Sequence, residues 1–316
     1  MHLRWQDQDY LYYITNRTRK HNIDNISRTK AYQHFYFDFP EIKWALIASV
    51  VSRNAGWNMT DLHLAPYKKM LGEAERKRLF MTYERANWLI FSDAFPQLIV
   101  YQLSIQHDYP LFYLLRKLRV STFMIREWEH FWQTNNKDRL MIALIINEQN
   151  VIQAPVISQS FFRKKVFLSL PYMLQNALML NAVILPTHSG ELYGAFVHHF
   201  TDVTNRITLG KQLANQIFHP ELYSKLIKFV LSVEHTGSRT DYEKFLDVTR
   251  PKGPMLRMVY PIIEHQDIIR NDWFYSGGMK KKWFKAVLAI PNEIGTSFYL
   301  KRKLLYAYYH LKNIVT

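Results

Sequence analysis

Cysteine is absent from all 316 residues. That excludes disulfides, thiolate zinc sites, iron–sulfur clusters and thiol catalysis, and it suits a reducing compartment. Glycine (10) and proline (12) are sparse, which argues against collagen-like sequence and against a turn-rich all-β barrel. Long apolar runs are also missing. The strongest, Trp44–Val51 and Leu140–Ile146, are too short to span a bilayer. The first residues, Met1 to Asp9, have no signal-peptide core. A cytoplasmic location with no transmembrane segment is therefore expected. Catalytic signatures are lacking too: there is no His-Glu-x-x-His, no Gly-x4-Gly-Lys frame and no nucleophile elbow. Glu127-x-x-His130 is half of a di-iron helix motif with no second half, and the adjacent His198 and His199 diverge rather than chelate. No metal site and no cofactor are expected.

What is present is apolar and aromatic: 48% hydrophobic residues, with 20 Tyr, 20 Phe and 8 Trp. Apolar residues recur at i, i+3, i+4 and i+7 near 8–21, 27–39, 41–55, 73–95, 97–106, 110–118, 121–133 and 137–149. Pro40, Pro96 and Pro110 fall between these segments, where proline starts or interrupts helices. Residues 181–186 and 191–200 read as two short strands around Thr187-His188-Ser189-Gly190, or as irregular buried segments. Helices are expected again at 202–218, 220–233, 241–248 and 297–312, with 249–279 irregular. The pattern predicts an all-α or nearly all-α fold: one compact multi-helix domain over 1–316, with at most a few short strands around 180–200. A domain seam, if there is one, falls near 150–190.

Net charge is +15, and residues 251–316 carry eleven Lys/Arg against four Asp/Glu, nearly half of that excess. Within it, Lys280, Lys281, Lys282 and Lys285 flank Trp283 and Phe284, and Lys301, Arg302 and Lys303 sit on the last helix. There Leu300, Leu304, Tyr308 and Leu311 share a face. Such segments suit an anionic membrane surface, or single-stranded nucleic acid held by charge and stacking. A docked amphipathic helix with a solvated basic rim has the same pattern.

Two polar constellations stand apart from this region. In Ser52-Arg53-Asn54-Ala55-Gly56-Trp57-Asn58-Met59-Thr60-Asp61, Arg53 continues the inward stripe of Ile42, Ala45, Leu46, Ser49 and Val50. Gly56 is expected to end that helix as a C′ glycine. Glu84 and Asn87 share a face with Phe80 and Phe91, and a buried arginine needs a partner, so Glu84 is expected to pair with Arg53. Arg53, Asn54, Asn58, Asp61, Glu84 and Asn87 thus form either a ligand pocket or a structural ion-pair network. The second constellation is His235-Thr236-Gly237-Ser238-Arg239 ahead of Thr240, whose spacing to Glu243 predicts a capping box. His235, Ser238 and Arg239 would then stand at a helix N-terminus able to hold an anion, with a capped structural loop as the alternative.

The strings Asn25-Ile26-Ser27-Arg28-Thr29-Lys30-Ala31-Tyr32, Ser52 to Leu62, Glu84-Arg85-Ala86-Asn87-Trp88-Leu89-Ile90-Phe91 and His235 to Arg239 resemble the YppC-like family. This is a domain-of-unknown-function family of spore-forming Gram-positive bacteria. The resemblance covers most of the chain and implies a bacterial cytoplasmic setting, but no mechanism. The function expected is therefore a non-enzymatic binding protein that meets nucleic acid or an anionic membrane surface through its basic C-terminal region. The alternative is an enzyme or small-ligand binder built on the two polar constellations.

Overall fold

The computed structural model describes residues 6–157, 182–197, 200–246, 252–266 and 271–315. The protein is mostly α-helical, with one two-stranded antiparallel sheet among the described residues. The first helices are α1 (Asp7–His21), α2 (Asn25–Asp38), α3 (Trp44–Asp61), α4 (Ala65–Met70) and α5 (Glu73–His107). After a 3-10 turn at Phe112–Arg116 come α6 (Thr122–Thr134) and α7 (Lys137–Val151). The sheet pairs β1 (Ala182–Pro186) with β2 (Leu192–Phe196). Then follow α8 (Val203–Ile217), α9 (Pro220–Ser232), the short turns α10 (Thr240–Glu243), α11 (Leu256–Val259) and α12 (Trp273–Gly277), and finally α13 (Gly295–Val315).

Helix α5 corrects the expectation of two helices separated by Pro96, because that proline lies inside one continuous helix. An interior proline costs about 3 kcal/mol. The burial of Phe91, Phe95, Leu98 and Ile99 on both sides of it outweighs that loss. The helix expected at 110–118 is reduced to the 3-10 turn. The pair β1–β2 takes the strand alternative for that stretch, while His198 and His199 lie outside the described residues.

Helices α2 and α3 pack against each other, α5 packs on both, and α7 packs on α3 and α5. One hydrophobic core runs through these helices and reaches β1, β2, α8, α9 and the start of α13, from Tyr10 to Tyr299. Continued by a π-helical turn, α7 forms the stretch Lys137–Ile157, which by length and composition is apolar enough to cross a membrane. In this fold Leu140, Ala143, Leu144, Ile145 and Ile146 are buried against the rest of the protein.

Candidate functional site

The two polar constellations meet in space, around the second half of α3. Its amphipathic stripe turns Arg53 inward as expected, but Glu84 is not the partner. Arg53 Nη1 donates to Val233 O (3.0 Å), and Nη2 donates to Gln33 Oε1 (3.0 Å) and Val230 O (3.3 Å). The guanidinium thus serves the free carbonyls at the C-terminal end of α9, where the helix dipole favours a cation. Burial brings its pKa down to about 10, against the nearby charge of Asp241, so it remains a cation at neutral pH.

Glu84 instead receives Arg28 of α2 at 2.5 Å and His265 at 3.2 Å. Burial raises its pKa, but the Arg28 charge and the hydrogen bond with His265 outweigh that and leave it below the ordinary value. The pairing differs from the expected one because Arg28 belongs to a second inward stripe, Asn25, Arg28, Thr29, Tyr32, Phe35 and Tyr36. That 3.6-residue spacing was legible in the sequence. Asn87 turns back on its own helix and donates to Tyr83 O (2.8 Å).

Gly56 does not end α3, which continues to Asp61. Its bare Cα lets the helix approach Asn25 and His235: a Cβ there would lie 2.5 Å from Asn25 Oδ1 and 3.0 Å from the His235 ring. Asn25 Nδ2 donates to Ser52 O (2.8 Å), which leaves Oδ1 to accept from His235 Nε2 (2.9 Å). His235 Nδ1 stands 3.4 Å from Asp241 Oδ2. Burial, reinforced by the charge of Arg53, keeps the imidazole pKa below its ordinary value even with Asp241 beside it.

The remaining polar residues of the α3 string each pin another segment. Asn54 brackets Ile184 of β1, donating to its carbonyl (2.9 Å) and accepting from its N–H (2.7 Å). The Trp57 indole donates to Asp241 Oδ2 (3.1 Å), and Thr60 Oγ1 donates to Gly237 O (2.7 Å). Arg239 donates to Asp61 Oδ2 (2.7 Å), Asn58 Oδ1 (2.9 Å) and the Tyr242 hydroxyl (2.8 Å). The expected capping box at Thr240 is not formed. Ser238 Oγ accepts from Thr240 N (3.2 Å) and donates to Gly253 O (2.8 Å), while Glu243 accepts from the Tyr299 hydroxyl (3.0 Å). Helix α10 is a single turn of four residues, Thr240–Glu243.

In the basic region the structure divides the expected residues. Arg302 is not at the surface: it is buried and donates to the same Asp61 Oδ2 (3.0 Å) that receives Arg239. Both guanidiniums lie against the Phe298 ring, at 5.2 Å from its centre for Arg239 and 5.7 Å for Arg302. Helix α13 therefore docks through Phe298, Tyr299, Arg302 and Leu305, whereas Leu300 and Leu304 face outward at 59% and 54% exposure. Lys301 is half-buried, with Nζ 3.5 Å from the centre of the Phe196 ring, and Lys303 is exposed. Lys280, Lys281, Lys282 and Lys285 are all exposed, while Trp283 between them is buried with its indole bonded to Thr204 Oγ1 (3.2 Å).

Among the described residues no group of three or more His, Asp or Glu side chains is placed to hold a metal. Glu127 is engaged by Arg139 at 2.7 Å and 2.9 Å.

Fold and site define a mostly helical protein in which α3 is the anchoring element and a lysine-rich segment is presented to solvent. The chain belongs to the family of proteins of unknown function DUF2515, whose model matches residues 20–289. It is similar to Uncharacterized protein YppC of Bacillus subtilis (strain 168), at 48% identity over 292 residues, covering 92% of this chain and 91% of that one. No solved structure matches the chain.

Proposed function

We propose that this protein is a non-enzymatic binding protein of the bacterial cytoplasm that contacts an anionic partner through its basic C-terminal region. The observation that carries this reading is the state of Lys280, Lys281, Lys282 and Lys285. All four are exposed, and none forms an ion pair with a described residue. From Trp273 to the end of the chain Glu293 is the sole acid, so the local field stays positive. The buried constellation is scaffold in this reading. Arg53, Asn54, Asn58, Asp61, Glu84, His235, Ser238 and Arg239 are each bonded to other parts of the protein.

The test is binding of the purified protein to labelled dextran sulfate, read by anisotropy across a salt series. Affinity is expected to fall as salt rises. The triple reversal Lys280→Glu, Lys281→Glu, Lys282→Glu should weaken it roughly tenfold or more while far-UV circular dichroism is unchanged. Equal binding by the folded triple variant would sink the proposal.

A further inference from the structure

The segment 283–294, which follows Lys280–Lys282 and includes Lys285, lies on α8 as a strap held by its backbone. Lys211, buried on α8, donates its ammonium to Trp283 O (3.0 Å) and Lys285 O (2.8 Å). One turn further along, Asn215 donates to Val287 O. Gln216 accepts from Asn292 N (3.4 Å), and β2 completes the attachment through Gly194 N to Asn292 O (3.0 Å) and Ile294 N to Leu192 O (2.8 Å). In an extended chain, alternate side chains point to opposite faces. Val287 and Ala289 are half-buried, whereas Ala286, Leu288 and Ile290 face solvent. Leu288 is 97% exposed and Ile290 75%. Two branched aliphatic side chains are thus held outward on a fixed backbone, beside four exposed lysines that form no ion pair with a described residue, Lys280 lying over the Trp283 ring at 5.6 Å.

Resting on the reading of the basic region above, we infer that the anionic partner is a lipid bilayer surface, with Leu288 and Ile290 entering its headgroup–acyl boundary. Single-stranded nucleic acid binds by stacking bases on exposed aromatic rings. Here the aromatic ring among the lysines, Trp283, is 3% exposed and part of the core, and Phe284 packs beside Phe123 and Arg139. What the segment offers instead is aliphatic, and a bilayer supplies the apolar phase that removes such side chains from water. The lysines match the negative potential of a surface containing acidic lipid. Tyr275, 73% exposed on α12, is the residue type that favours the membrane interface.

Because the chain has no cysteine, Leu288→Cys gives a single labelling site at a position that contributes nothing to the core. An environment-sensitive dye there is titrated with vesicles of phosphatidylglycerol mixed with phosphatidylcholine, with pure phosphatidylcholine vesicles, and with a single-stranded oligonucleotide. A blue-shifted, brighter emission with the phosphatidylglycerol vesicles alone is expected. The pair Leu288→Asn, Ile290→Asn should lower vesicle partitioning by roughly tenfold or more while leaving dextran sulfate binding unchanged. A dye insensitive to vesicles, in protein that still binds dextran sulfate, overturns the lipid inference and leaves the polyanion reading standing. Binding of the oligonucleotide without vesicle response overturns it in favour of nucleic acid. Loss of every interaction overturns both.

Discussion

A methyl group on Gly56 would stand 2.5 Å from Asn25 Oδ1, inside the hydrogen bond that Asn25 makes with His235. Helix propensity alone favours alanine over glycine by about 1 kcal/mol in a helix interior. The close approach reverses that sign. Gly56→Ala is expected to destabilise the protein by about 1–3 kcal/mol in urea denaturation, through displacement of α2 or of the His235 loop. A more stable Gly56→Ala protein would mean that α2 and α3 can separate without loss. Glu148 shows another residue-scale effect. Half-buried beside Trp44, whose indole donates to it (3.0 Å), its carboxyl is pushed up by burial from 4.5 to about 7. A folded-state pKa above the unfolded value means the native protein holds the extra proton. Its stabilising contribution is thus complete below pH 4.5 and disappears as pH rises through about 7. Glu148→Gln should therefore flatten the stability profile, reducing the difference between pH 5 and pH 8 by about 1–2 kcal/mol. Identical pH profiles for the two proteins would show that Glu148 titrates as an ordinary carboxylate.

At the scale of elements, α3 carries most of the specific connections. Its apolar stripe places it in the core, and its last three turns fix α9, β1, the 235–243 segment and α13 in turn. The joint with α13 is the most exposed to failure, since Asp61 Oδ2 faces both Arg239 and Arg302. Removing the carboxylate charge leaves two guanidiniums buried without an anion, a loss of about 3–5 kcal/mol. Asp61→Asn should release α13 first. Hydrogen exchange is expected to show lost protection in peptides of 295–305 while α1 and α6 keep theirs. Unchanged protection of α13 would mean that Phe298, Tyr299 and Leu305 hold it by packing alone. The outward face of α13 also differs from a simple amphipathic reading. Spacing grouped Leu300 with Leu304 correctly, yet the core took the Phe298–Arg302–Leu305 face. An arginine was preferred inside because Asp61 and the Phe298 ring were waiting for it.

Across the whole molecule, positive charge is unevenly placed, and the structure sharpens that asymmetry. Arg302 is withdrawn into the interior, whereas Lys280, Lys281, Lys282 and Lys285 stay in solvent beside the strap. The family match ends at residue 289, so the lysine cluster and Leu288 lie within it and α13 beyond it. Much of the fold was legible beforehand: α1, α2, α6, α7, α8 and α9 lie within a few residues of their expected spans, because each has a clear 3.6-residue stripe. The single helix through Pro96 was not legible, since local propensity is outweighed there by packing on both sides.

The sequence by itself determined the helical class, the excess of positive charge and the inward direction of Arg53, because periodicity and composition are local properties. It also singled out the two strings that prove to be adjacent. Only the tertiary structure decided the pairings. Arg53 took the end of α9 rather than Glu84, Glu84 took Arg28 and His265, and Arg302 took Asp61. Helical spacing states which side of a helix a charge occupies. Which charge it meets depends on how elements far apart in the chain pack, and a buried ion settles on whichever partner that packing brings within reach.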